Sequence, residues 1–173
     1  MDWTKTFLDV IDLRSFSSLW YWLVVAAVWS QASHWVLGVP YDVIQRARRQ
    51  GGEAMADLET LTRVNVNRMR NIVAEAGYWL VGFAFFLHSV LLILAFFYGI
   101  EFAVAVEMFM IPLTFVGITS LFTGNRILTE APTGEALVRV LIRHRFWTQV
   151  IGMVAIFVTA CVGMYQLLYV PAF

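Results

Sequence analysis

The sequence predicts an all-α polytopic membrane protein with four transmembrane helices, an N-terminal interfacial amphipathic helix and helical cytoplasmic connections. Three observations support this prediction: the composition, four long apolar runs and an uneven distribution of arginine. Hydrophobic residues make up 60% of the 173 residues and charged residues 14%, with a mean hydropathy of +0.72. Soluble domains are usually about 45–50% apolar and about 25% charged. The formal net charge of zero gives no overall field that would favour nucleic acid as a partner.

Four apolar runs are long enough to cross a lipid bilayer as helices. A hydrocarbon core of about 30 Å needs roughly 20 mostly apolar residues per helix. Tryptophan and tyrosine crowd the ends of these runs, where amphipathic rings sit at the level of the lipid headgroups. The predicted spans are residues 18–38, 77–99, 102–122 and 147–169.

Arginine distinguishes the two sides of the membrane. The connection 39–76 contains six arginines and the connection 123–146 contains four, whereas the turn between spans two and three contains none. Basic residues are retained in cytoplasmic connections. We therefore predict that both long connections are cytoplasmic and that both termini lie on the external side.

The segments outside the spans are short but patterned. In residues 1–17 the apolar and acidic side chains fall on opposite faces of a helix, as in helices that lie in the membrane interface. Residues 53–76 show helical spacing and can continue into span two and project from the membrane. None of these segments is large enough to bury a core of its own, so residues 1–173 are predicted to form one membrane domain.

Glu107 is an acidic residue inside predicted span three. It lies about five residues from the external end, or roughly 7 Å at 1.5 Å per residue. One interpretation places Glu101 and Glu107 in a wet outer layer, paired with polar groups of neighbouring helices. The other is a proton or cation site, because acids inside a membrane usually face an interior or a cavity. Pro112 also removes the backbone hydrogen bond to the carbonyl of Met108, next to Glu107.

His88 is the deepest ionisable residue of the predicted spans. A neutral imidazole can hydrogen-bond across helices, and this interpretation is favoured over metal ligation. His88 lies about four residues deeper than Glu107, an axial offset of ~6–7 Å that allows the two side chains to couple. We predict that Glu107→Gln leaves folding intact.

The sequence contains no recognisable motif for cofactor binding or catalysis. Two histidines that ligate haem must lie at the same depth in the membrane. His34, His88 and His144 are each predicted at a different depth. No cluster of metal ligands is evident, and the single cysteine, Cys161, excludes a disulfide framework and a CxxC motif. No phosphate-binding loop and no nucleophile–base pair occurs. The chain is therefore predicted to be a non-enzyme without a cofactor.

Two further groups of residues suggest contacts. Ala155, Thr159 and Gly163 recur every four residues, a small-residue pattern that lets helices approach closely, either within the chain or between copies. In "QRARRQ", Arg46, Arg48 and Arg49 lie just inside the predicted membrane surface, where anionic lipid headgroups attract basic residues by about 1 kcal/mol each. The cluster either binds such headgroups or only fixes the orientation of the chain.

Three stretches, "DWTKTFLDVIDLRSFSSLWYW", "ASHWVLGVPYDVIQRARRQGG" and "IGMVAIFVTACVGMYQ", carry a resemblance over nearly the whole chain. Here the sequence resembles a family of small bacterial inner-membrane proteins, some of which bear the name "component of SufBCD complex". The resemblance implies an inner-membrane location, with external meaning periplasmic, and a link to iron–sulfur cluster assembly. It assigns no site residues.

Three functions follow as expectations. The first is a non-enzymatic accessory or scaffold subunit of an inner-membrane assembly, in contact with other subunits or with copies of itself. The second is a small homo-oligomeric channel or transporter whose pore uses Glu107 and His88. The third is a membrane factor linked to iron–sulfur cluster assembly, which rests on the resemblance alone.

Overall fold

The computed structural model describes residues 16–169. The amphipathic helix predicted for residues 1–17 lies outside the described residues, except for Phe16 and Ser17, which form a turn. Within the described part the chain forms five helices and one two-stranded antiparallel ribbon. Their bounds are α1 Leu19–His34, β1 Trp35–Val36, β2 Val39–Pro40, α2 Tyr41–Gln50, α3 Gly52–Phe96, α4 Glu101–Glu130 and α5 Gly134–Tyr169.

Three helices, α3, α4 and α5, are long and apolar enough to cross a membrane. The 45 residues of α3 correspond to about 68 Å at 1.5 Å per residue, about twice the thickness of a hydrocarbon core. Each of these helices joins a predicted span to the neighbouring predicted connection without a break. The continuation of residues 53–76 into span two is therefore confirmed, and α4 likewise continues past residue 122 to Glu130.

The prediction of one helix over residues 18–38 is wrong at its C-terminal end. The 16-residue α1 ends at His34, and the chain then turns back as a ribbon in which Val36 pairs with Val39. The two central residues, Leu37 and Gly38, have φ angles of 52° and 77°, and positive φ at both positions is what a tight type I′ hairpin requires. The stretch "WVLGV" is apolar enough to continue a span. The turn at Leu37 and Gly38 instead folds it back into the ribbon.

The helices pack in a simple order. Helix α4 lies against both α3 and α5, and α1 packs against α5. Helices α3 and α4 are joined by a short turn in which Gly99 has a φ of 64°. The ribbon and α2 pack on the first half of α3 and on α5. We call the end of the molecule formed by the ribbon, α2, the first half of α3, the end of α4 and the start of α5 the arginine-rich end.

The larger buried core lies at the arginine-rich end, where the sequence predicted no core. Residues of the ribbon and of α2, α3, α4 and α5 contribute to it together, which explains how short segments bury a core that none could bury alone. A smaller cluster of Val25, Trp29 and Ala155 lies between α1 and α5. The larger cluster comprises Val36, Val39, Ile44, Ala47, Leu58, Val66, Ile127, Leu137, Val138 and Leu141.

Polar contacts fasten the segments around this core. The Arg145 Nε donates to the carbonyl of Ser33 at 2.9 Å, and its guanidinium lies 3.5 Å from the centre of the Tyr41 ring. The backbone N–H of Gly134 donates to Glu59 Oε1 at 2.6 Å. These contacts hold α5 against the end of α1, the start of α2 and the first half of α3.

Candidate functional site

The structure brings His88 of α3 and Glu107 of α4 into direct contact. The His88 Nδ1 lies 2.8 Å from Glu107 Oε1, and the His88 Nε2 lies 3.0 Å from the Thr114 Oγ1. The Thr114 hydroxyl donates to the carbonyl of Met110 at 2.9 Å. The side chains of two helices therefore form a continuous chain of hydrogen bonds from a carboxyl group to the backbone.

The donor and acceptor roles along this chain depend on the tautomer of His88, because each ring nitrogen can donate a hydrogen bond or accept one. The Thr114 hydroxyl carries one hydrogen and lies within hydrogen-bond distance of both the Met110 carbonyl and the His88 Nε2. His88 is therefore held by side-chain contacts at both ring nitrogens.

Glu107 is almost completely enclosed. Its exposed fraction is 2%, and that of the His88 side chain is 19%. The second carboxyl oxygen of Glu107, Oε2, is buried and has no hydrogen-bond partner among residues 16–169. Leaving a buried acceptor unpaired costs about 1–3 kcal/mol, so the site retains binding capacity that the described side chains do not use.

Neighbouring contacts position α4 at this site. The Tyr21 hydroxyl of α1 donates to the carbonyl of Ala105 at 3.1 Å, two residues before Glu107. Ala103 and Ala105 are buried, and their small side chains let the other helices approach. The helix continues through Pro112, which cannot donate a hydrogen bond to the carbonyl of Met108.

The three histidines occupy separate positions, so none pairs with another. His34 is exposed at the end of α1. His144 of α5 is buried, with Nε2 3.2 Å from the Ser120 Oγ and Nδ1 3.3 Å from the Thr123 Oγ1. It precedes the apolar run that begins at Trp147, and burial lowers the pKa of its imidazole. This histidine is a buried polar residue between α4 and α5.

The small residues of α5 face α1 of the same chain. Ala155 packs with Val25 and Trp29, and Thr159 lies beside the Tyr21 hydroxyl. A Cβ atom on Gly163 would lie 2.8 Å from the Phe16 Cδ1. The structure therefore shows that this face makes contacts within the chain.

Three residues of these contacts, Thr114, Gly152 and Arg145, were not predicted as contact residues from the sequence. Thr114 lies two helical turns from Glu107 and hence on the same face of α4, a spacing that was visible in the sequence. Gly152 continues the small-residue face of α5, since a Cβ atom there would lie 2.7 Å from the Trp29 Cε3. Arg145, by contrast, bonds a carbonyl that is 112 positions away, and no local pattern indicates such a contact.

The remaining candidate residues lie elsewhere. Arg46, Arg48 and Arg49 are exposed on α2 at the arginine-rich end, away from the His88–Glu107 pair. Cys161 is exposed on α5. Between residues 16 and 169, no group of three or more His, Cys, Asp or Glu side chains could hold a metal ion.

Fold and site together define a helical protein with three helices long and apolar enough to cross a membrane and a buried His–Glu pair between two of them. Comparison with protein-family models, with curated proteins and with solved structures finds no match for this chain.

Proposed function

We propose that this chain is a non-enzymatic accessory or scaffold subunit of a bacterial inner-membrane assembly, in contact with other membrane subunits or with copies of itself. The observation that supports the proposal is the exposure of α3. Its most apolar 18-residue window has no buried residue, whereas 17% of the corresponding window is buried in α4 and 28% in α5. Helix α3 therefore offers the largest free apolar surface to a neighbouring subunit.

Aromatic side chains concentrate on this surface of α3. Aromatic residues are enriched in the buried centres of protein interfaces. Gly82 lies among them with open space around its Cα, and such a residue lets a second helix approach closely. The α3 rings that are at least 60% exposed are those of Tyr78, Trp79, Phe83, Phe85, Phe86 and Phe96.

In the proposed topology α1, α3, α4 and α5 each provide one span, with the arginine-rich end in the cytoplasm and both termini in the periplasm. Helix α1 is short, but residues 16–34 together run along α5. Phe16 contacts Gly163 at one end, and Ser33 contacts Arg145 at the other. These contacts are 18 residues apart on α5, or about 27 Å. That length is close to the thickness of a hydrocarbon core, and it supports a fourth span.

Photo-cross-linking in native membranes tests the scaffold proposal. Phe85 on α3 and Phe157 on α5 are each 70% exposed, so each can be replaced by a photoreactive phenylalanine analogue. We expect protein adducts from position 85 and predominantly lipid adducts from position 157. Equal protein adducts from both positions, or none from position 85, would contradict the proposal.

A second candidate function, an oligomeric channel or transporter, is favoured by the His88–Glu107 contact and by the unpaired Oε2 of Glu107. Proton or cation flux in proteoliposomes tests it. Flux that Glu107→Gln abolishes would support the channel, whereas flux equal to that of protein-free vesicles would exclude it. The link to iron–sulfur cluster assembly stays a separate proposal, tested by whether cluster-assembly proteins co-purify with the chain.

A further inference from the structure

A groove of about 910 Å³ opens at the arginine-rich end, where α2, the start of α3 and the start of α5 meet. Arg48 of α2 lines it together with Arg139 and Arg143, which are one turn apart on α5. Glu135 is the acidic residue of its lining. Three positive charges against one negative charge leave the groove with a net charge of +2.

Apolar side chains form the floor of the groove. Met55 of α3 and Val138, Ile142 and Phe146 of α5 line it, and Phe146 is 56% exposed. The α5 residues recur at intervals of four, so they share one helix face. That face leads directly to Trp147, where the apolar run of α5 begins. The groove therefore connects a basic site with the predicted membrane surface.

Glycine keeps the outer part of the groove open. Gly51, Gly52 and Gly134 line it, and no atom lies within 4 Å of where their Cβ atoms would stand. Their φ angles of 62°, 49° and 55° fall in the left-handed region, which side-chain-bearing residues rarely adopt. The backbone conformation thus favours residues that leave room for a headgroup.

We propose that this groove binds the headgroup of an anionic phospholipid. Arg139 and Arg143 hold the phosphate, because guanidinium groups match phosphate oxygens in two-point hydrogen bonds. Arg48 contributes from the opposite wall. Ile142 and Phe146 contact the glycerol and the upper acyl chain. Basic pockets between helices beside the inner leaflet bind anionic headgroups in this way. The apolar floor favours a lipid over free phosphate. Binding of the lipid in this groove does not depend on which subunit covers α3.

Lipid titration of the purified full-length chain, followed by native mass spectrometry, tests this site. The probes are phosphatidylglycerol, phosphatidylethanolamine and inorganic phosphate. We expect preferential binding of phosphatidylglycerol. The double variant Arg139→Gln/Arg143→Gln should lower its affinity by about tenfold or more, given the attraction of each basic residue for anionic lipid. Phe146→Ala should weaken lipid binding as well.

The chain offers a matched control in Arg46→Gln/Arg49→Gln, which removes two exposed arginines of α2 that do not line the groove. Because Arg46 and Arg49 attract headgroups only at the exposed surface, we expect this control to lower the affinity clearly less than Arg139→Gln/Arg143→Gln does. Equal losses in the two double variants would show diffuse attraction and overturn the proposal. Competition by inorganic phosphate as effective as that by the lipid would also overturn it, in favour of a free-phosphate site. If the first double variant misfolds, Arg48→Gln alone must lower the affinity, and an unchanged value would reject the site.

Discussion

The imidazole of His88 is held at both of its ring nitrogens. Its Nδ1 contacts Glu107 and its Nε2 contacts Thr114, whose hydroxyl also lies 2.9 Å from the carbonyl of Met110. A buried polar group without a hydrogen-bond partner is costly. The contact with His88 gives one oxygen of a carboxyl group with 2% exposure such a partner.

The sequence indicated that Glu107 and His88 could couple, because their depths follow from counting residues along antiparallel helices. It could not show that they touch, since contact depends on the rotation of α3 and α4 about their axes. The contact favours the interpretation of Glu107 as a paired residue. The free Oε2 keeps the alternative of a proton or cation site open to the flux experiment.

Substitutions in the pair should differ in their effect on stability. Glu107→Gln retains a side chain that can bond His88, so we expect the protein to fold with a loss of about 1 kcal/mol or less. His88→Ala leaves the buried carboxyl group without its partner, and we expect a loss of about 1–3 kcal/mol or more. Thermal unfolding of the purified protein measures both.

His34→Ala is the control for these substitutions, because His34 is an exposed histidine at the end of α1. It should leave the unfolding temperature nearly unchanged. If Glu107→Gln lowered that temperature as much as His88→Ala, the contact would require a charged carboxylate, and our expectation for Glu107→Gln would be wrong.

Among the helices, α1 and α5 show how close packing depends on small residues. Trp29 lies against Gly152 and Phe16 lies against Gly163, so two aromatic rings occupy the space that side chains of α5 would fill. The four-residue spacing in α5 indicated a packing face. Ala26, Ser30 and His34 recur at the same spacing in α1. The spacing did not show whether the partner of the α5 face is α1 of the same chain or a helix of a second copy.

Alanine substitutions test this packing. In Gly152→Ala and Gly163→Ala the new methyl group meets an aromatic ring at 2.7 Å and 2.8 Å. We expect each to destabilise the protein by about 1–3 kcal/mol, as overpacking usually does. Gly117→Ala is the control, since nothing lies within 4 Å of its Cβ position. It should be neutral or stabilise α4 by up to about 1 kcal/mol.

Thermal unfolding separates these outcomes. A similar unfolding temperature for Gly152→Ala, Gly163→Ala and Gly117→Ala would show that Trp29 and Phe16 do not pack against α5.

The molecule as a whole divides into two regions with different packing. The arginine-rich end has a core shared by five segments, whereas the most apolar window of α3 contains no fully buried residue. Lipid or a neighbouring subunit can cover the apolar half of α3, so this half does not need an internal core. The arginine-rich end carries many polar residues, and its apolar side chains are buried against one another.

Cysteine labelling tests how the whole molecule is oriented. In a Cys161→Ser background, Tyr98→Cys places a thiol at the turn between α3 and α4, and Gln50→Cys places one at the end of α2. Both positions are exposed. We expect a membrane-impermeant maleimide to label position 98 in intact spheroplasts and position 50 only after permeabilisation. Labelling in the reverse order would contradict the proposed topology.

Local composition was sufficient to predict a helical protein with helices that can cross a membrane. A run of about 20 apolar residues shows this property by itself, and α3, α4 and α5 confirm it. The tertiary structure decided the rest. It ended α1 at His34, joined His88 to Glu107 and built a core at the arginine-rich end. These features depend on contacts between residues far apart in the chain, and the hydrophobicity of a single segment does not specify its neighbours.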